Sequence, residues 1–290
     1  MKKPHPKARP FRARPSADAS SPDWLTGFHA VHEALRARRR RLQRLLLRDG
    51  LDRGDEARLL ELARTAGVPA ERADEQVLER IAGPDVRTQG VALQAGPIPE
   101  LSLEALIAAS LDGAGEGGRG RRVVLLDGVE DPQNVGAIAR VAESAGAIGL
   151  VLTDRRAPPL TAAVSRASAG AIEWLPVARV TNLVRALETL KAARFWVLAA
   201  ALEESRSLFE LPDRVLTGDL AVVLGAEGRG IRPSVLEQAD HRVRIPMRGR
   251  VESLNVSTAG AVILYELLRR AEAAGGGDER GGASGQRGGR

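Results

Sequence analysis

Apolar positions along the chain fall into two patterned stretches, about 24–96 and about 121–272, with a glycine-rich run at 113–120 between them. In the first, 28–38 has helical spacing, and 42–47 is a short apolar run. Leu59, Leu60, Leu62 and Ala63 mark a second helix that Gly67 stops. A short helix near 77–81 and a strand over 90–93 close this region as a small sheet. In the second stretch, 123–126, 149–152, 195–200, 220–224 and 243–246 are short and mostly apolar, as strands buried on both faces of a parallel sheet are. Helical patterns at 136–145, 183–193 and 256–270 alternate with them. That order predicts an α/β fold with right-handed crossovers and a site at the carboxyl ends of the strands.

Composition narrows the chemistry. Lys and Arg number 43 against 37 acidic residues, a formal charge of +6, which favours a polyanionic partner. With no cysteine, disulfides, thiolate metal sites and cysteine nucleophiles are excluded, and four histidines without a carboxylate cluster predict no metal site. No apolar run reaches the roughly 20 residues of a membrane helix, so no membrane association is expected. Residues 1–22, with Lys2, Lys3, Lys7, Arg9, Arg12 and Arg14 among prolines and serines, read as a disordered basic arm rather than a secretory signal. Residues 273–290 read as a flexible glycine-rich tail, and 98–120 as a linker. Arg36, Arg38, Arg39, Arg40, Arg41, Arg44 and Arg48 form a dense run with no acid inside it, which predicts phosphate contact rather than a solvated helix end.

Three strand ends run into unusual loops. After Leu126 comes Asp127-Gly128, then Asp131-Pro132, two turn signals in succession. Asn134 follows where a helix N-cap is expected. Arg140 then leans back over Gly136, whose missing side chain is expected to leave the guanidinium room. An ordinary surface arginine beside an ordinary cap accounts for this loop equally well. The second loop, 225–231, holds Gly225, Gly228 and Gly230 in a spacing that is neither a dinucleotide fingerprint nor a phosphate loop. Its Glu227 is suited to orient a nearby Arg or Asn. The third, 247–257, brings Ser253, Asn255 and Ser257 to a helix start, more polar groups than a cap needs.

Taken in order and spacing, DPQNVGAIAR (131–140), LGAEGRGI (224–231) and IPMRGRVESLNVS (245–257) closely resemble the three motifs of the SpoU (TrmH-type) RNA ribose 2′-O-methyltransferases of the SPOUT superfamily. The likeness covers about 24–272. The opening GFHAVHEAL (27–35) resembles the small substrate-binding domain, related to ribosomal protein L30e, of the bacterial 23S rRNA guanosine 2′-O-methyltransferases. One departure is Thr88, where relatives often have His.

The resemblance implies an L30e-like RNA-binding domain over 23–97 and a SPOUT trefoil-knot methyltransferase domain with a parallel sheet over 121–272. It implies S-adenosyl-L-methionine as cofactor, bound at Gly225, Ile245 and Leu254, and a homodimer acting on ribosomal RNA in the cytoplasm. Arg140 is implied as the key catalytic residue, with Asn134 and Glu227 orienting it and Ser253 and Asn255 shaping the loop and donor pocket. Methylation of tRNA or another rRNA site, and a non-catalytic ribosome-assembly factor, are the alternatives. A Rossmann-fold methyltransferase is disfavoured, because the first strand ends in Asp127-Gly128 rather than a glycine-rich turn.

Overall fold

In the computed structural model, which describes residues 23–111 and 120–275, the chain forms two sheets joined along a hydrogen-bonded seam. The basic arm, residues 113–119 of the glycine-rich run and the tail beyond 275 lie outside the described residues. The first unit runs β1 (Asp23–Thr26), α1 (Phe28–Ala37), β2 (Leu42–Leu47), α2 (Arg53–Ala66), β3 (Ala70–Arg72), α3 (Glu75–Ala82) and β4 (Val91–Ala95). Its sheet has the order β1-β4-β2-β3, with β4 antiparallel to both β1 and β2. Asp52 caps α2 through its carboxylate, and Gly67 ends that helix at φ +68°, the stop its sequence predicts.

The second unit runs β5 (Glu100–Leu101), α4 (Leu103–Ala109), β6 (Arg122–Asp127), α5 (Pro132–Ser144), β7 (Gly149–Thr153), α6 (Ala162–Ala167), β8 (Val177–Val180) and α7 (Leu183–Ala192). It continues through β9 (Trp196–Ala200), β10 (Arg206–Ser207), α8 (Asp213–Leu216), β11 (Leu220–Gly225), α9 (Pro233–Leu236), β12 (His241–Arg244) and α10 (Val256–Gly275). Its eight strands are all parallel, in the order β10-β12-β9-β11-β6-β7-β8-β5. Alternate side chains feed two cores. Val124 and Leu126 of β6 point to the layer with α5 and α10, Val123 and Leu125 to the layer with α4 and α7. This is the doubly covered parallel sheet that the unbroken apolar strands predict.

Three expectations change. Residues 98–110 are not part of a linker: β5 pairs with β8, and α4, capped by Ser102, buries Leu103 and Leu106 against Leu187 and Leu190. The short strands β1 and β8 escape the apolar pattern, β1 because Asp23 and Thr26 end it and β8 because Arg179 interrupts it. The arginine run is likewise no continuous phosphate surface. Arg36 pairs with Glu33, Arg48 with Glu75, and Arg44 stacks on Trp24 and bonds Gln94, while Arg38 and Arg41 stay exposed. No acid interrupts the run in sequence, but the fold brings acids to it from elsewhere.

Arg39 and Arg40 turn inward and build the seam. The Arg40 side chain is 1% exposed, and its Nε and Nη2 each donate to a carboxylate oxygen of Glu173 at 2.7 Å. Nη2 also reaches Ser165 Oγ at 2.8 Å, and Nη1 reaches the Gly96 carbonyl at 3.3 Å. Arg39 Nη1 donates to the carbonyls of Glu173 and Leu175. From β1, Asp23 accepts the Ala162 N–H at 2.8 Å, and Thr26 Oγ1 accepts from Arg166 at 3.1 Å.

Strand β11 sits between β6 and β9 although β9 precedes it in the chain, and β12 lies outside β9. Residues 245–255 therefore return across the strand ends to start α10, which packs on α5: Ile263, Leu264 and Leu267 share a core with Val135, Ile138 and Ala142. Further along α10, hydrogen bonds from Arg269, opposed by burial, and from Arg270 pull the Glu266 carboxyl down to about 2. Arg270 also bonds Asp213, fixing α10 to α8. Among the described residues no helix is long and apolar enough to cross a membrane, and no His/Asp/Glu cluster suits a metal ion.

Candidate active site

Asp127 roots the site. It ends β6, is 2% exposed, and its carboxylate accepts the Arg232 N–H at 2.8 Å and Arg232 Nε at 2.7 Å. Its carbonyl accepts the Ala226 N–H at 3.0 Å, so the first two loops are joined at their base. The second loop then closes on itself, with Gly230 N–H bonding the Ala226 carbonyl at 2.8 Å and Ala226 N–H the Gly230 carbonyl at 3.1 Å. Gly225 is required by that closure: a Cβ there would stand 2.3 Å from the Gly230 carbonyl carbon.

The cap of α5 is Asp131, whose carboxylate accepts the Gln133 N–H at 2.9 Å, with Pro132 in the first helical turn. Asn134 is therefore not the N-cap as expected. Proline fixes the helix start before it, and its side chain is left free to reach across. Asn134 Nδ2 donates to Glu227 Oε1 at 3.1 Å. Asn255 supplies the third arm. Its Nδ2 donates to Asn134 Oδ1 at 3.0 Å and also to Glu227 Oε1, while its Oδ1 caps α10 by accepting the Ser257 N–H at 2.8 Å. One carboxylate thus holds the three loops together.

Arg140 is not joined to this cluster. It sits nearly two turns beyond Asn134 on α5, exposed, and no hydrogen bond or ion pair engages its side chain among the described residues. Nor does Gly136 leave it room. A Cβ on Gly136 would stand 2.4 Å from the Ala167 Cβ and 2.9 Å from the backbone of α6, so this glycine serves the close packing of α5 on α6. Ser253 is exposed in the 245–255 connection and outside the hydrogen-bonded cluster. Gly225 ends β11 and Ile245 follows β12, on either side of β9; Leu254, 36% exposed, directly precedes the Asn255 cap.

Beside the cluster lies a cleft of ≈ 240 Å³, lined by the 127–131 turn, Asn134, Glu227 and three arginines. Arg232 is held by Asp127, whereas Arg156 and Arg229 are exposed and their side chains are engaged by no hydrogen bond or ion pair among the described residues. Sequence reasoning missed Arg156. The available signal was its place in the polar 154–156 run directly after β7, at the same carboxyl edge as the other loops.

Comparison with known proteins gives the same picture from outside. The SpoU rRNA Methylase family profile matches residues 121–265, and that of RNA 2′-O ribose methyltransferase substrate binding matches 24–101. The 23S rRNA (guanosine-2′-O-)-methyltransferase RlmB of Xanthomonas campestris is 36% identical over 251 residues, 85% of this chain and 96% of that protein. YacO of Bacillus subtilis, described more broadly as a TrmH family tRNA/rRNA methyltransferase, is 36% identical over 252 residues, 86% of this chain and 96% of its own. Among solved structures, AviRb of Streptomyces viridochromogenes in complex with AdoMet shares the fold at a TM-score of 0.71 and 21% identity, covering 88% of this chain and 92% of its own.

Proposed function

Given that the chain belongs to the SpoU rRNA Methylase family and is an S-adenosylmethionine-dependent RNA 2′-O-methyltransferase, we propose that it methylates a guanosine of 23S ribosomal RNA. The observation that carries this target is the near end-to-end likeness to RlmB, which spans the N-terminal unit as well as the methyltransferase sheet. We assign RNA binding to 23–97 and methyl transfer to 121–272. The order of β9, β11 and β12, with the return to α10, supports a trefoil knot.

The donor pocket is assigned to Gly225, Ile245 and Leu254. With the exposed Leu202, they offer apolar surface and backbone groups at the carboxyl ends of three neighbouring strands, which suits an uncharged adenosyl group. When bound, S-adenosyl-L-methionine supplies an electrophilic methyl group on a sulfonium. Glu227, Asn134 and Asn255 hold the loops around that pocket in register, and Ser253 lies on the same return loop.

Arg140 is assigned to the phosphate beside the reacting ribose and to the negative charge that develops on its 2′-oxygen as that oxygen takes the methyl group and its proton passes to solvent. A guanidinium stays protonated near neutral pH, so electrostatic stabilisation suits it better than proton abstraction. Its distance from the Glu227 cluster along α5 and the exposed Val251 and Tyr265 favour a homodimer with the site near the interface. An rRNA substrate implies work in the cytoplasm.

The test is transfer of labelled methyl from S-adenosylmethionine to unmodified 23S rRNA, with the modified nucleotide mapped, for wild type and Arg140→Ala. A 2′-O-methylguanosine that vanishes in the variant supports the reading. Label reaching only tRNA moves the substrate and keeps the chemistry, and RNA binding without any transfer overturns it.

A further inference from the structure

Helix α6 touches both halves of the molecule. On one side it meets the N-terminal unit, where Asp23 holds the Ala162 N–H and Arg40 holds Ser165 Oγ. On the other it meets α5 at Gly136, a contact so close that no side chain fits there. Glu173, just beyond α6, completes the junction: its Oε1 accepts from Ser165 Oγ at 2.9 Å as well as from Arg40. A second tight contact follows, since a Cβ on Gly170 would stand 2.6 Å from the Glu33 Cβ on α1. The path from the RNA-binding sheet to the helix that carries Arg140 and Asn134 is therefore short and packed throughout.

We propose that the buried Arg40–Glu173–Ser165 junction is a positioning element of methyl transfer: it fixes the angle between the RNA-binding unit and α5, and so sets where RNA held by that unit meets Arg140. This rests on the methyltransferase reading above. The chemistry of the junction favours the role. A guanidinium fork that bonds two carboxylate oxygens, a hydroxyl and a carbonyl is directional, whereas an apolar contact of equal size leaves the angle free. Arg40 touches neither the cleft nor the three loops, so any effect on turnover must pass through α6 or the 171–173 turn, both of which pack on α5.

The test compares wild type with Arg40→Met and with the double variant Arg40→Met/Glu173→Met, which leaves no unpaired buried charge. Two RNAs are used: unmodified 23S rRNA, and the shortest stem–loop that wild type still methylates. Because a misplacement of about 1 Å can cost about 100-fold in rate, kcat on 23S rRNA should fall about tenfold or more in both variants. The Kd for 23S rRNA measured without cofactor, and turnover on the stem–loop, should stay within about twofold. Equal losses on both RNAs would mark a purely structural role and overturn the proposal. So would wild-type kcat on 23S rRNA in a double variant that melts like wild type. Failure of wild type itself to methylate 23S rRNA would overturn the 23S target and this proposal with it.

Discussion

Arginines at the seam and arginines at the cleft live under opposite rules. Arg40 is enclosed, with Glu173, Ser165 and the Gly96 carbonyl around it. Arg156 and Arg229 line the cleft at the strand ends and Arg140 lies further along α5; all three are exposed, and no ion pair among the described residues engages them. A charge removed from water must be matched on the spot, so a buried arginine has its function settled by the fold. A solvated arginine keeps its hydrogen-bonding capacity for an arriving phosphate, which is the capacity an RNA enzyme needs. Positive charge alone does not separate the two classes, since both come from the same arginine-rich composition. The partners do.

The largest expected effect breaks the seam side of this comparison. Arg40→Ala leaves the Glu173 carboxylate buried without its cation and should destabilise the protein by about 3–5 kcal/mol. Urea or thermal unfolding checks this, and a change under about 1 kcal/mol would mean that Glu173 is solvated in practice.

Next comes the solvent-exposed side. Arg140→Ala should lower kcat by about 100- to 1000-fold, the usual loss when one charge-stabilising donor is removed, with the melting temperature unchanged. Arg140→Lys keeps the charge but not the fork, and near-normal turnover by that variant would refute two-point phosphate recognition. A large drop in melting temperature for Arg140→Ala would erase the contrast with Arg40 altogether.

These two arginines also mark the limit of what could be read from the sequence. Strands β6, β7, β9 and β11 were legible to within a residue or two, because burial on both faces leaves them almost wholly apolar. Which members of the 36–48 arginine run face solvent was not legible. The carboxylate that buries Arg40 comes from Glu173, 133 residues away, and only the fold brings it there. Asn134 and Asp131 make the same point at short range. Both are good caps, and the proline between them decided in favour of Asp131. Pairing of Asn134 and Asn255 on Glu227 needed the strand order β9-β11-β6, which no local pattern contains.

An intermediate effect sits where seam and cleft are coupled. Gly136→Ala puts a methyl 2.4 Å from the Ala167 Cβ and 2.9 Å from α6 backbone atoms, so α5 or α6 must move. Overpacking of that kind costs about 1–3 kcal/mol. Unfolding measurements should show this cost together with a loss of kcat. Stability lost with kcat retained would mean that α5 can shift without consequence for Arg140.

The smallest expected effect sharpens the cleft side from within. Glu227 Oε1 accepts from both Asn134 and Asn255, and all three residues are at least partly exposed, so water can replace some of what is lost. Glu227→Gln keeps an oxygen and the side-chain shape but removes the charge that makes both bonds strong, so kcat/KM should fall about tenfold. Because Asn255 also caps α10 through its other oxygen, that helix should keep its start, and the melting temperature should move by no more than a few degrees. A loss as large as that of Arg140→Ala, with stability intact, would give Glu227 a direct part in the reaction rather than the holding of loops. A variant indistinguishable from wild type would mean that shape, not charge, joins the three loops.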